Sequence, residues 1–245
     1  MTFDSMCSDL YNGTGAFHYA RDSLEGKKIR RHAKQVSARP GVGRPTRAQQ
    51  QQRHEELLDV ALDIFLERGF EQTTIEEIAT HVGMSKRTVY ARYEDKGTLF
   101  KATVRRAVER YTVPRESIEA VATDDLEETL AAIARLRIAN LARPVVIKLQ
   151  RILSAQCYRF PELFHAAFEE GAGPTVDFLT DLFVRFGAQG AINVTEPRRA
   201  ATAFLSLAVG GPSRIIVSGN TLDEREREQH IRFAVGLFLG GMRRR

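Results

Sequence analysis

The stretch TTIEEIATHVGMSKRTVYARYEDKGTLF, residues 73–100, decides the fold. Ile75, Ile78, Ala79 and Val82 recur at helical spacing, and Gly83 stands where a left-handed residue ends a short helix. Thr73 with Glu76, or Thr74 with Glu77, has the spacing of a capping box, so either threonine can open that helix. Ser85 is a good N-cap for KRTVYARY, residues 86–93, in which Val89 and Tyr93 lie one turn apart. Two short helices joined through a glycine turn form the helix-turn-helix pattern.

Upstream, Leu58, Ala61, Leu62 and Phe65 make one apolar stripe, which predicts a first helix over residues 47–68 with Gly69 as its left-handed end. Burying Val89 and Tyr93 leaves Lys86, Arg87, Thr88, Tyr90 and Arg92 on the other faces of the third helix, a cationic and hydrogen-bonding set. The first helix carries Glu55, Glu56, Asp59, Asp63 and Glu67 instead. Such segregation of charge is the electrostatic footprint of a nucleic-acid reader. The N-terminal residues of a recognition helix meet base edges, where Lys or Arg donates to guanine and Thr touches a thymine methyl. Periodicity alone also fits a plain helical bundle, so the residue pattern has to separate the two readings.

That pattern, Thr74, Ile78, Ala79, Gly83, Ser85, Thr88, Tyr90, Tyr93, Lys96 and Leu99, resembles the signature of the TetR family of transcriptional regulators. Tyr93 stands where the family has Phe, and Met84 where Val is common. The resemblance implies an all-α protein, with a three-helix helix-turn-helix DNA-binding domain followed by a helical ligand-binding and dimerisation bundle. It also implies a repressor that binds a palindromic double-stranded operator as a homodimer and is released by a small-molecule effector. Thr74, Tyr90 and Lys96 would contact phosphates, Lys96 from the start of a fourth helix. Ser85, Lys86, Arg87 and Thr88 would enter the major groove, and Arg92 would reach a base or a phosphate. Tyr93 is assigned to the core and His81 to the surface.

Three domains are expected: a basic arm over residues 1–46, the reader over 47–96 and an all-helical regulatory domain over 97–245. The arm has no helical period but gathers Lys27, Lys28, Arg30, Arg31, Lys34, Arg39, Arg44 and Arg47. It reads either as a solvated linker or, through RPGVGRPTR at residues 39–47, as a minor-groove segment. Past Tyr111, six prolines interrupt a helical period and predict segments at 124–141, 145–159, 161–171, 174–187, 197–217 and 223–240. In TetR-like proteins the last two helices pair with their copies. Here they hold Phe204, Leu205 and Ala208, then Ile231, Ala234, Val235 and Phe238, with Gly236 and Gly240 allowing close approach. Both stripes facing inward within one subunit is the alternative.

Residues 151–174, RILSAQCYRFPELFHAAFEEGAGP, are similar to the C-terminal region of an AefR-like branch of the family. An effector pocket there would draw on Arg151, Gln156, Tyr158, Phe164, Phe168 and Phe178, although aromatics at helical spacing also serve simply as core.

With 245 residues and 43% hydrophobic content the chain can build a sizeable core, and a net charge of +5 agrees with a polyanionic partner. No stretch approaches roughly 18 uncharged apolar residues. The nearest, residues 200–213, stops at Arg214, and no secretory leader pattern opens the chain, so a cytoplasmic protein with no membrane partner is expected. The two cysteines, Cys7 and Cys157, lie in no metal-ligand spacing, so no cofactor or metal is expected. Pairing Cys157 with His165, or His165 with Glu169, completes no catalytic set, which argues against an enzyme. A sequence-indifferent nucleic-acid binder is the other alternative, but the aromatic platform that single strands require is missing.

Overall fold

The computed structural model describes residues 46–242, and the basic arm lies outside the described residues. Every regular element among the described residues is a helix: α1 Arg47–Gln72, α2 Ile75–Val82, α3 Lys86–Tyr90, α4 Lys96–Tyr111, α5 Arg115–Glu119, α6 Leu126–Leu141, α7 Pro144–Gln156, α8 Pro161–Ala188, α9 Pro197–Ala208, α10 Gly210–Ser218 and α11 Glu224–Met242. The fold is thus all-α, as the sequence predicts.

Local chemistry sets the helix starts. Thr46 opens α1 with a capping box: its hydroxyl accepts the Gln49 N–H at 3.3 Å while Gln49 Oε1 accepts the Thr46 N–H at 2.9 Å. Asp95 and Asp125 cap α4 and α6, accepting from Thr98 N–H at 2.7 Å and Glu128 N–H at 2.9 Å. A cap of this kind stabilises a helix by about 1 kcal/mol. Gly69 is not the terminus of α1. Its φ of 78° and ψ of 169°, a combination open to glycine, kink the chain, which then runs one more helical turn to Gln72. The kink turns Phe70 into the core, where its ring lies 4.9 Å from Phe100 and 5.3 Å from Phe160, centroid to centroid.

The stripe Leu58, Ala61, Leu62 and Phe65 is buried, together with Ile75, Ile78, Val89 and Tyr93 of the following helices. Leu99, Phe100 and Val104 of α4 join the same cluster, as do Leu149, Leu153 and Leu163 from α7 and α8. The core of the reader therefore continues across residue 96. A second cluster fills the C-terminal half around Leu130, Ile133, Ile138, Phe183, Phe204 and Val235.

Two prolines act differently from expectation. Pro174 does not divide 161–171 from 174–187, because α8 runs through it without a break. A proline disfavours helical backbone in the residue before it through that residue's Cβ, and Gly173 has none. Conversely, the expected helix 197–217 splits at Val209, whose φ is −113°. Pro212 lacks the N–H that would bond the Ala208 carbonyl, and His230 Nε2 takes that carbonyl at 3.1 Å instead.

The apolar stripes of the last helices also turn out differently. Phe204, Ala208, Ile231, Ala234 and Val235 are fully buried within the chain, and Leu205 and Phe238 are half-buried against the same core. The outward face of α11 carries Phe233, Gly236, Leu237 and Gly240, with Phe233 68% and Leu237 56% exposed. The segment Pro197–Ser218, with a mean hydropathy of 1.4, passes the length and composition test for a membrane crossing, which the sequence reading did not grant it. In the fold its α9 part lies along α8 and buries Ala201, Phe204 and Ala208.

Candidate nucleic-acid interface

The helix-turn-helix is α2, a turn at Gly83 and Met84, and α3. Thr74 rather than Thr73 opens α2, its hydroxyl accepting the Glu77 N–H at 3.2 Å. Thr73 is buried, and its hydroxyl donates to the Gly69 carbonyl at 2.7 Å, bracing the kink of α1. Gly83, at φ 65° and ψ 32°, closes α2 in the left-handed region and sends its own N–H and that of Met84 back to the last turn. Ser85 then caps α3, accepting from Thr88 N–H at 3.1 Å. Regular helix ends at Tyr90, shorter than the expected 86–93, and a turn through Ala91 and Arg92 delivers Tyr93 to the core.

Burial of Val89 and Tyr93 anchors α3 and leaves Ser85, Lys86, Arg87, Thr88, Tyr90 and Arg92 exposed on one end of the reader. Their chemical states differ. Ser85 and Thr88 share a hydroxyl–hydroxyl bond of 2.7 Å. Lys86 bonds Glu76 of α2, and that contact raises the lysine pKa and lowers that of the carboxyl. Its ammonium also lies 5.6 Å from the Tyr90 ring centroid. The side chains of Arg87, Tyr90 and Arg92 make no hydrogen bond or ion pair among the described residues. Thr74 is exposed at the start of α2, whereas Lys96 is half-buried, with Nζ donating to the carbonyls of Phe70 at 2.7 Å and Glu71 at 3.1 Å. The exposed His81 holds the Glu77 carbonyl through Nδ1 at 2.8 Å.

The acidic residues of α1 are directed elsewhere. Asp59 accepts from Arg106 and Arg110 of α4, each at 3.2 Å, and Glu55 faces Arg106 at 3.7 Å. The cationic end of the reader and the acidic flank that grips α4 are thus separate surfaces. Between them, His54 stacks on Tyr93 with 5.9 Å between centroids. Burial first, then Arg92 and Arg106, push the His54 pKa below the ordinary histidine value.

The six residues singled out for an effector pocket do not converge. Phe164 and Phe168 share a cavity wall on α8. Arg151 donates to the Val217 carbonyl at 2.7 Å, in the wall of a different recess beside Gly219. Tyr158 is 99% exposed on the turn after α7, next to Gln156, whose carbonyl accepts from Arg159 and Phe160. Phe178 packs half-buried against the C-terminal core, with the Arg115 guanidinium 6.0 Å from its ring. Arg137, absent from the sequence reading, stands in the same cavity as Phe164 and Phe168. The signal available was the run ARLRIAN, where Arg135 and Arg137 lie two positions apart in the otherwise apolar stretch of residues 130–139, so that they point to nearly opposite faces of the helix.

Comparison with known proteins bears on both halves. Residues 57–103 match the model for bacterial regulatory proteins of the tetR family, and residues 128–241 match the AefR-like transcriptional repressor C-terminal domain. The HTH-type transcriptional repressor BepR of Brucella suis is 38% identical over 64 residues, 26% of this chain and 31% of that repressor. A crystal structure of a TetR-family regulator from Mesorhizobium loti aligns with a TM-score of 0.68 at 28% identity, covering 82% of this chain and all of the other. The flavonoid-responsive regulator FrrA aligns at 0.63 and 27% identity, covering 80% of this chain and 99% of its own. These relatives are regulators, not enzymes.

Proposed function

The chain belongs to the TetR family of DNA-binding transcriptional regulators, and we propose that it is a repressor that binds a palindromic operator as a homodimer and leaves it when a small molecule binds the C-terminal half. The observation that carries the DNA reading is the set Arg87, Tyr90 and Arg92, whose side chains make no hydrogen bond or ion pair among the described residues and stand exposed around a helix fastened from behind by Val89 and Tyr93. Cations and hydroxyls left without intrachain partners keep their hydrogen-bonding capacity for a ligand. Arg87 and Lys86 are assigned to base edges, Ser85 and Thr88 to the same groove, and Thr74, Tyr90 and Lys96 to phosphates. Arg92 goes to either.

Dimerisation is assigned to the outward face of α11. Phe233 and Leu237 expose large apolar surfaces one turn apart, and Gly236 and Gly240 let a second helix approach closely. A two-fold pair of readers would place its recognition helices at half-sites one or more DNA turns apart. For the effector, support comes from a cavity that includes Val108 and Tyr111 of α4 in its wall, the same helix whose first residue, Lys96, belongs to the reader. A ligand that alters how α4 packs would alter the reader at its other end, provided it binds one arrangement better than the other.

Selection of duplexes from a random pool, followed by competition against bulk DNA, tests the reading. A symmetric consensus bound more than about tenfold above bulk DNA is expected, and the absence of any such preference rules the regulator reading out.

A further inference from the structure

The C-terminal half contains two adjoining recesses, or lobes, of about 350 Å3 and about 90 Å3, which share part of their walls and are bounded by the end of α4 and by residues of α6 to α10. Arg137, Leu141, Gln150, Ala167, Phe168 and Gly171 stand in the walls of both. Leu205, Val176 and Phe164 add apolar surface, and Arg214 adds a second cation to the larger lobe. Among the described residues no Asp or Glu lines either lobe.

Arg137 is the odd group in this wall. Its guanidinium is deeply buried, although the residue as a whole keeps some accessible surface. One nitrogen, Nη1, donates to the Gly171 carbonyl at 2.9 Å, while Nε is buried with no partner. No carboxylate pairs with it among the described residues, and burial alone draws its pKa below the ordinary arginine value. Arg135, two positions away, shows the usual remedy, with Glu128 at 2.8 Å and Glu228 at 2.6 Å. A guanidinium removed from water is costly to keep charged unless a counter-charge meets it. Holding the Gly171 carbonyl beside Pro174 does not explain the charge, since the amide of a glutamine would supply that one N–H.

We propose that Arg137 anchors a carboxylate-bearing amphiphile, the guanidinium receiving the carboxylate and the walls around Phe168 and Leu205 receiving the apolar remainder. The planar fork of arginine matches a carboxylate bidentately, and a cavity of this size takes a small organic ligand. This rests on the reading that the C-terminal half binds an effector, and it names the effector's chemical class.

The test uses the full chain and a panel of aliphatic and aromatic acids, decanoate and cinnamate among them, each beside its primary amide. Thermal unfolding and calorimetry read binding. At about 1 mM ligand an acid is expected to raise the unfolding midpoint by a few degrees and to bind at least tenfold more tightly than its amide. Arg137→Gln should unfold, without ligand, close to the parent and lose the response to acids, and Arg137→Lys should keep part of it. Amides that bind as well as their acids, or an Arg137→Gln chain that binds acids like the parent, would overturn the carboxylate inference and leave the effector reading standing. No shift from any acid or amide would overturn both. If Arg137→Gln fails to fold, the acid-against-amide comparison on the unsubstituted chain decides the matter alone.

Discussion

Lys96 and Phe70 are joined twice: Nζ donates to the Phe70 carbonyl at 2.7 Å and lies 4.4 Å from the centroid of the Phe70 ring. With the Glu71 carbonyl at 3.1 Å, the ammonium satisfies two of the acceptors left open at the end of α1. Lys96 is therefore a brace between the first and fourth helices as well as a proposed phosphate contact. Lys96→Ala is expected to destabilise the fold by about 1–2 kcal/mol and to weaken binding to all duplexes alike, with a salt slope shallower by about one unit. Chemical denaturation and binding across salt concentrations measure the two effects separately. A lowered stability with an unchanged slope would restrict Lys96 to the bracing role.

Arg87 is the contrasting case. Its side chain has no partner among the described residues, so Arg87→Ala should change stability by less than about 0.5 kcal/mol. Its binding should fall by about 1–3 kcal/mol on the selected operator and lose base preference at one position of each half-site. If Arg87→Ala and Lys96→Ala weakened all sequences equally, the division between base and phosphate contacts would be wrong.

Leu237 tests the dimer. Because it is 56% exposed within the chain, Leu237→Glu should leave the helical content and the unfolding midpoint of the isolated chain little changed. In the proposed two-fold interface it sets like charges against each other, so sedimentation should show a monomer where the parent is a dimer. A parent chain that sediments as a monomer at micromolar concentration, with and without operator, would exclude the arrangement.

Glu228 gives a pH dependence with a definite sign. Hydrogen bonds from Arg135, then Arg232, hold its pKa down at about 2, against 4.5 for the free group. A depressed carboxyl pKa contributes stability above the unfolded value, and that contribution disappears as pH falls from about 4.5 toward about 2. The carboxyl is 40% exposed, so solvent screening limits the effect to about 1 kcal/mol. Unfolding midpoints of Glu228→Gln and the parent should differ at pH 7 and converge near pH 2. Parallel curves down to pH 2 would mean that the Arg135–Glu228 contact between α6 and α11 adds nothing to stability.

The caps at Gly83 and Ser85 were legible, and the cap of α2 was narrowed to Thr73 or Thr74, because each depends on residues within four positions. The stripe of α1 and the burial of Val89 and Tyr93 were legible by period. Pro174 misled because the local rule reads the proline, while Gly173 before it removes the Cβ that makes the rule work. Of the pocket aromatics, Phe164 and Phe168 do line a recess, while Tyr158 and Phe178 do not, because period says only that a residue lies on an apolar face. Tyr158, in a run that looked like pocket, is fully exposed on a turn, and Phe178 packs against the core.

The sequence by itself determined that residues 73–100 form a helix-turn-helix with a polar outer face, because caps, turn and stripe are short-range effects written in neighbouring residues. The packing of distant elements sets which face of α11 is left open, that Lys96 closes the end of α1, and that Arg137 is buried without a carboxylate among the described residues. These depend on what packs against a side chain from elements 26 to 93 residues away, as the Lys96–Phe70 and Arg135–Glu228 bonds do. Burial and pairing are properties of that assembled environment, and no local pattern encodes them.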